Sequence, residues 1–390
     1  MSSLLKSQFL LNPKITFLNF GSFGACPKPI FDDYQQWQRL LEFEPVQYIA
    51  VEGVNYLKAS REALAGYINC NADDLVYVPN PTFAINIIAK NLDLKAGDEI
   101  LSTDLEYGAM DRTWDYYCDK VGARYVKQHI ALPLTTKEAI LEQFWKGYSS
   151  KTKAIFISQI TSSTALILPV KEICDMAKER GLMTIVDGAH VPAHIPLDIQ
   201  ELQVDVYTGA CHKWMMTPKG CTFLYVKREM QHLFDPLVVS WGYKSAAPSH
   251  SQFLDYHQMQ GTRDFSAFLT VPKAIEFMQQ NNWWQVAADC RKLAHSNYQR
   301  FCALLGSVPL APITEEFLGQ MCSTPIKTTQ PEKLQRHLFE HYNIEIPVMR
   351  HGQHIFLRYS INAFNSQEDM DRLYDALQEI KASTGLIDVA

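Results

Sequence analysis

Two stretches place an acid and a lysine where chemistry can be done: Thr184-Ile185-Val186-Asp187-Gly188-Ala189-His190 and Asp205-Val206-Tyr207-Thr208-Gly209-Ala210-Cys211-His212-Lys213-Trp214. Each begins as a short apolar run, Met183 to Val186 and Val204 to Tyr207, of the length of a buried strand. Asp187 then falls at a strand's carboxyl end, where open α/β sheets bind ligands, and Lys213 follows the second strand. A lysine so placed can form a Schiff base, and an acid can hold a protonated ring nitrogen; pyridoxal phosphate needs both. Two solvated loop charges are the competing reading of this pair taken alone.

Stepping outward, the chain supplies the elements such a site requires. Leu75 to Val78 reads as a strand, followed by Asn80-Pro81-Thr82 and the helical run from Phe83 to Ala89. Asn80 suits an N-cap and Pro81 a first helical position, so a helix start with free N–H groups and the Thr82 hydroxyl lies directly after a strand. Ile100 to Thr103 is a strand ending near Tyr107, an aromatic able to stack on a planar ring. Ala154 to Ile157 is another, ending in Thr161-Ser162-Ser163-Thr164, hydroxyls suited to a polar ring substituent. Helical spacing recurs from Pro29 to Gly66, Arg112 to Val121, Lys137 to Trp145 and Lys171 to Arg180. Strand and helix therefore alternate from about residue 75 to 226, which predicts a doubly wound α/β sheet. Trp241 to Ser266 has little periodicity. Beyond it, helices over Phe268 to Gln280, Trp284 to Leu305 and Gln367 to Ile380, with strands over Met321 to Lys327 and Ile355 to Tyr359, read as a smaller α+β unit.

The whole chain has 390 residues, 47% hydrophobic and 20% charged, with a formal net charge of -6. It is long enough for a large core, and the charge balance argues against nucleic-acid binding. No apolar stretch is long enough to span a bilayer, and the first residues lack a signal peptide's pattern, so a cytoplasmic protein without membrane attachment is expected. Nine cysteines, with no Cys-x-x-Cys pair, read as reduced thiols. His190 and His194 have helical metal-pair spacing, but Pro192 lies between them and no metal is expected.

Taken together, several segments resemble the class V aminotransferase and cysteine-desulfurase superfamily of fold-type I pyridoxal-phosphate enzymes, especially its isopenicillin-N-epimerase-like group. They are Leu18 to Gly24, Glu106-Tyr107-Gly108-Ala109, Val186 to His190, Gly209 to Trp214 with Pro218-Lys219-Gly220, Gly261-Thr262-Arg263-Asp264, and Leu357-Arg358-Tyr359-Ser360 with Phe364-Asn365. The resemblance implies an α/β fold: a large domain with a mainly parallel seven-stranded sheet between helices, and a smaller α+β C-terminal domain. The expected division is an N-terminal segment, 1-18, packing on the small domain; a cofactor domain, 19-267; and a small domain, 268-390.

By the same resemblance Lys213 is the Schiff-base lysine and Asp187 the partner of the pyridine nitrogen. Tyr107 stacks on the ring, His190 bonds its hydroxyl oxygen, and Thr161 or Ser162 stands where desulfurases carry an Asn. Thr82, Phe83 and His212 serve the phosphate, and Gly261 and Thr262 complete that site from the second subunit of a homodimer. Arg358 pairs with the carboxylate of an amino-acid substrate, with Asn19 and Ser22 nearby. Tyr243, His351 and Arg350 are candidates for a second acid, and Trp214, Trp241, Tyr243 and Phe23 for pocket walls. Two departures stand out. Ala210 replaces the usual phosphate-site serine, leaving Thr208 as a possible substitute, and no cysteine lies between Ile346 and Arg358 to carry a persulfide. The implied activity is work at an amino-acid α-carbon, by epimerisation or racemisation or by Cβ–S cleavage. Transamination, or a cofactor-binding protein without turnover, are the alternatives.

Overall fold

The computed structural model describes residues 3–388. Its centre is a seven-stranded sheet: β1 (Leu75–Val78), β2 (Glu99–Thr103), β3 (Arg124–Gln128), β4 (Thr152–Ser158), β5 (Met183–Asp187), β6 (Val206–Ala210) and β7 (Thr222–Val226). The spatial order is β1-β7-β6-β5-β4-β2-β3. Only β7 runs against the rest, pairing antiparallel with both β1 and β6. The carboxyl ends of β1, β2, β4, β5 and β6 therefore meet along one edge, and the fold is the mainly parallel α/β architecture expected from the sequence.

Alternate residues of these strands feed two cores. Leu101, Ile155, Ile157, Val186 and Tyr207 point to one face. Ile100, Ala154, Phe156, Ile185 and Val206 point to the other, against helices α3 (Pro81–Asn91) and α4 (Gly108–Val121). Strands covered on both faces are the reason their sequences are nearly all apolar, and each fully buried aliphatic chain contributes roughly 1.5–3 kcal/mol. At the edge, β3 instead exposes Arg124 and Lys127, charges that discourage pairing with another sheet.

The helical period between Pro29 and Gly66 belongs to two helices, α1 (Lys28–Phe43) and α2 (Gly53–Ile68), separated by Pro45 and a π-helical turn at Gln47–Val51. Pro45 has no N–H to continue a helix, which accounts for the break. A short helix, Gln252–Gln258, occupies part of the segment that showed no periodicity. In the C-terminal part, β8 (Met321–Pro325), β9 (Val348–His351) and β10 (His354–Ser360) form an antiparallel sheet ordered β9-β10-β8. The N-terminal strand Thr16–Phe17 pairs in parallel with Ile344–Glu345. Among the described residues no helix is long and apolar enough to cross a membrane.

Candidate active site

A cavity of about 180 Å³ opens at the shared edge of β1, β2, β4, β5 and β6. Its walls include Ser22, Thr82, Tyr107, Ser162, Asp187, His190, His212 and Lys213, and also Ser158, which the sequence reading did not single out. Asp187 is 3% exposed at the end of β5. One of its oxygens accepts the Ala189 N–H at 2.8 Å. Burial raises its proton affinity, opposed by that N–H and by the charge of Lys213.

Lys213 lies three residues past β6. Burial pushes its ammonium down to about 8, with Asp187 opposing and Arg358 adding to the fall. Its Nζ is 3.2 Å from His190 Nε2. The Trp214 indole N–H donates to His190 Nδ1 at 3.3 Å, which leaves the proton of a neutral imidazole on Nε2, facing the lysine. An imidazole N–H aimed at the amine favours neutral Lys213, and burial with nearby cations holds His190 itself well below its ordinary range. His194 does not face the cavity. Its Nε2 accepts the Gln320 N–H and its Nδ1 bonds His190 O at 2.9 Å, while its ring stacks on Trp214. Among the described residues no cluster of three or more His, Cys, Asp or Glu side chains could hold a metal.

Glycine is required where the N-terminal segment passes the lysine. Gly24 has φ +64°, and a Cβ there would meet the backbone oxygens of His212 at 2.3 Å and Lys213 at 2.6 Å.

At the helix start, Asn80 caps α3 by accepting the Phe83 N–H at 2.8 Å. Pro81 has no N–H, so the donors left to an anion are those of Thr82; Phe83 does not line the cavity. His212 Nδ1 donates to the Cys221 carbonyl at 2.9 Å, so Nδ1 carries the proton of the neutral ring and Nε2 is the nitrogen left toward the cavity. The Thr208 hydroxyl donates to Phe223 O at 2.9 Å and is not free to replace a phosphate-site serine. Of the two hydroxyls considered near the ring, Ser162 lines the cavity, whereas Thr161 is engaged with Thr164 and the Leu166 N–H.

Arg358, on β10, is 1% exposed. Its Nη1 donates to Ser162 O at 2.6 Å and Nη2 to Ser22 Oγ at 3.0 Å. Ser22 in turn donates to Asn19 Oδ1 at 2.5 Å, and Asn19 to Glu345 at 3.1 Å. The buried Nε of Arg358 has no partner, and burial lowers the guanidinium to about 10. A buried cation with an orphaned donor and no acid beside it suits an incoming carboxylate.

Several expected residues lie elsewhere. Gly261 and Thr262 are exposed and do not line the cavity of the single chain. Tyr243 and the 84% exposed Trp241 border a separate groove with Val54. Arg350 and His351 line a larger cleft, where His351 bonds Asp104 O at 2.6 Å. The stretch from Val348 to Ser360 is a tight hairpin turning at Gly352-Gln353, and Cys322 is buried in β8.

These residues fit pyridoxal phosphate: a buried acid, a lysine of lowered basicity, a helix-start donor and a half-exposed aromatic wall surround one small cavity. A family model described as Aminotransferase class-V matches residues 46–373. The chain is 30% identical over 388 residues to isopenicillin N epimerase of Amycolatopsis lactamdurans, covering 96% of this chain and 97% of that protein. It is 25% identical over 404 residues to L-cysteine desulfhydrase of Arabidopsis thaliana, covering 93% and 87%. Among solved structures, the apo cysteine desulfurase from Thermococcus onnurineus NA1 shares the fold with a TM-score of 0.83 at 17% identity, over 97% of this chain and 98% of that one. A cystine C-S lyase, C-DES, does so with a TM-score of 0.80 at 20% identity, over 94% and 98%.

Proposed function

The chain belongs to the class-V aminotransferase family, and on that premise we propose that it removes the α-proton of an amino acid and returns it with inverted configuration. Pyridoxal 5'-phosphate is its cofactor, and when bound it withdraws electrons from the substrate's α-carbon. The observation that carries the reading is a cavity holding the Lys213 amine of lowered basicity, with the Arg358 guanidinium bonded to two residues of its wall, Ser22 and Ser162, and its Nε left without a partner.

With the cofactor bound, Asp187 would keep the ring nitrogen protonated and Tyr107 would stack on the ring. Thr82 donates to the phosphate, as does His212 once its Nε2 is protonated. Arg358 takes the substrate carboxylate, fixing the α-carbon relative to Lys213. Lys213 Nζ is then the general base, its neutral form favoured by the His190 Nε2–H that Trp214 fixes toward it, and inversion takes the new proton from the opposite face of the α-carbon. Gly261 and Thr262 complete the phosphate site from a second copy of the chain. Their exposure outside the cavity lining of one chain, and the exposed Trp241, Val239 and Tyr243 nearby in sequence, support that dimer.

Inversion is supported by the epimerase relatives. The desulfhydrase relatives favour a second reading, loss of a β-sulfur substituent. The cysteine-free hairpin argues against persulfide transfer, because nothing in it can accept sulfur. Incubating the loaded enzyme with single amino acids in deuterated water, read by NMR, separates these. Cα deuteration with loss of configuration and no pyruvate is expected. Pyruvate from cysteine or cystine selects the lyase reading, and no exchange with any amino acid or short peptide overturns both.

A further inference from the structure

Glu106 lies behind the cavity, between β2 and α4, and is 1% exposed. Three donors converge on its carboxylate: Thr103 Oγ1 at 2.7 Å, the Ser158 N–H at 3.0 Å and Ser158 Oγ at 2.5 Å. Among the described residues no lysine, arginine or histidine pairs with it. The groups facing it are acidic or neutral: Asp187 from β5, Asp111 from α4 and Tyr125 from β3. Burial, then these acids, push it up to about 8 against the hydroxyl donors.

Its position is informative. Ser158 stands beside Asp187 in the β4–β5 register and lines the cavity, and Glu106 immediately precedes Tyr107. One side chain thus braces two walls of the site. An amide could do that bracing, its oxygen meeting both Ser158 donors and its NH2 turned to the Thr103 hydroxyl. Burying an acid without a cation is costly unless a positive charge arrives, and Asp187 marks where the cationic ring nitrogen arrives.

We propose that Glu106 is a positioning residue for the cofactor, holding Ser158 and Tyr107 in place and, once the cationic ring nitrogen is bound, adding a second negative charge behind Asp187. The inference rests on the pyridoxal phosphate assignment but not on the fate of the α-carbon. A negative charge there favours the protonated form of the lysine–cofactor bond, which absorbs in the visible, so its removal makes that band bleach at lower pH.

The test is a pH titration of this band in the holoenzyme, with cofactor affinity measured by fluorescence quenching. Glu106→Gln is expected to lower the midpoint by about one pH unit, the order one buried charge produces across a partly screened interior. Its affinity for the cofactor is expected to fall several-fold. Glu106→Asp, which keeps the charge but shortens the reach, is expected to lose affinity with little change in midpoint. Ser158→Ala, lacking one donor to the carboxylate, shifts the midpoint the same way as Gln and serves if that variant does not fold. Equal midpoints in wild type and the Gln and Ala variants, or equal shifts in Gln and Asp, overturn the proposal. A wild type with no visible band fails the cofactor reading instead.

Discussion

Replacing Arg358 with glutamine tests the proposed carboxylate anchor. Two guanidinium nitrogens are held by Ser162 O at 2.6 Å and Ser22 Oγ at 3.0 Å, while Nε is buried without a partner. A substrate carboxylate would therefore meet a cation already fixed in place, with Nε and the second hydrogen of Nη2 left to pair with it. A charge-assisted hydrogen bond contributes roughly 1.5–3 kcal/mol, and a two-point pairing about twice that. Losing about 3–6 kcal/mol corresponds to a fall in kcat/KM on the order of a hundred- to ten-thousand-fold. A second effect goes with it. The Arg358 charge is one of the causes, after burial, that lower Lys213. In the Gln variant Lys213 becomes more basic, and the pH at which cofactor loads onto the lysine moves upward. The assay is Cα deuterium exchange by NMR, run on an amino acid and on the corresponding amine without its carboxylate. The amine is expected to react equally slowly with both proteins. An equal loss on the amine, or an unchanged kcat/KM on the amino acid, refutes the anchor.

Three further outcomes follow from the same geometry. Lys213→Ala is expected to yield protein without a visible band, and in the wild type the rate of cofactor incorporation should rise with pH and level off above about 8, since only the neutral amine reacts with the aldehyde; a flat rate would show that the lysine is not the titrating group. Gly24→Ala forces a Cβ against the His212 and Lys213 carbonyls at positive φ, at a cost of about 1–3 kcal/mol, so thermal unfolding of the apoprotein should shift downward by several degrees, and an unchanged Tm would mean that the loop gives way freely. Burial holds His194 down to about 3 and His212 and His257 to about 4. Their folded pKa values lie below the unfolded one, so the stability that depends on their neutrality is fully present above about pH 6.5 and is lost as pH falls, by up to about 1.4 kcal/mol per unit for each histidine. Urea unfolding between pH 7 and about 5 measures this slope, and a slope of zero would contradict the burial of all three.

Asp187, Lys213 and the α/β alternation are legible in the sequence because each sits next to an apolar run whose length marks a strand. Glu106 and Ser158 are not, since a glutamate before a tyrosine reads as a surface charge until β2 and β4 bring Thr103 and Ser158 around it. Spacing also cannot decide between Thr161 and Ser162; the choice depends on which hydroxyl the local turn spends on Thr164 and Leu166. Phe83 follows the same logic, because its N–H is consumed by the Asn80 cap. The helix at Gln252–Gln258 was hidden by its shortness, with too few turns to display a period.

The belt formed by the first residues sets an order of events during synthesis. The strand at Thr16–Phe17 has its partners at Ile344–Glu345, and the bond from Arg358 to Ser22 spans 336 residues. Contacts this distant in sequence carry the largest loop-closure cost and form last. A nascent chain that has just released β6 and Lys213 can already assemble much of the central sheet, yet its leading segment has nothing to pair with until the C-terminal sheet emerges. The lysine end of the site thus precedes the arginine end in time, and the Ser22–Arg358 bond closes only after β10 has emerged.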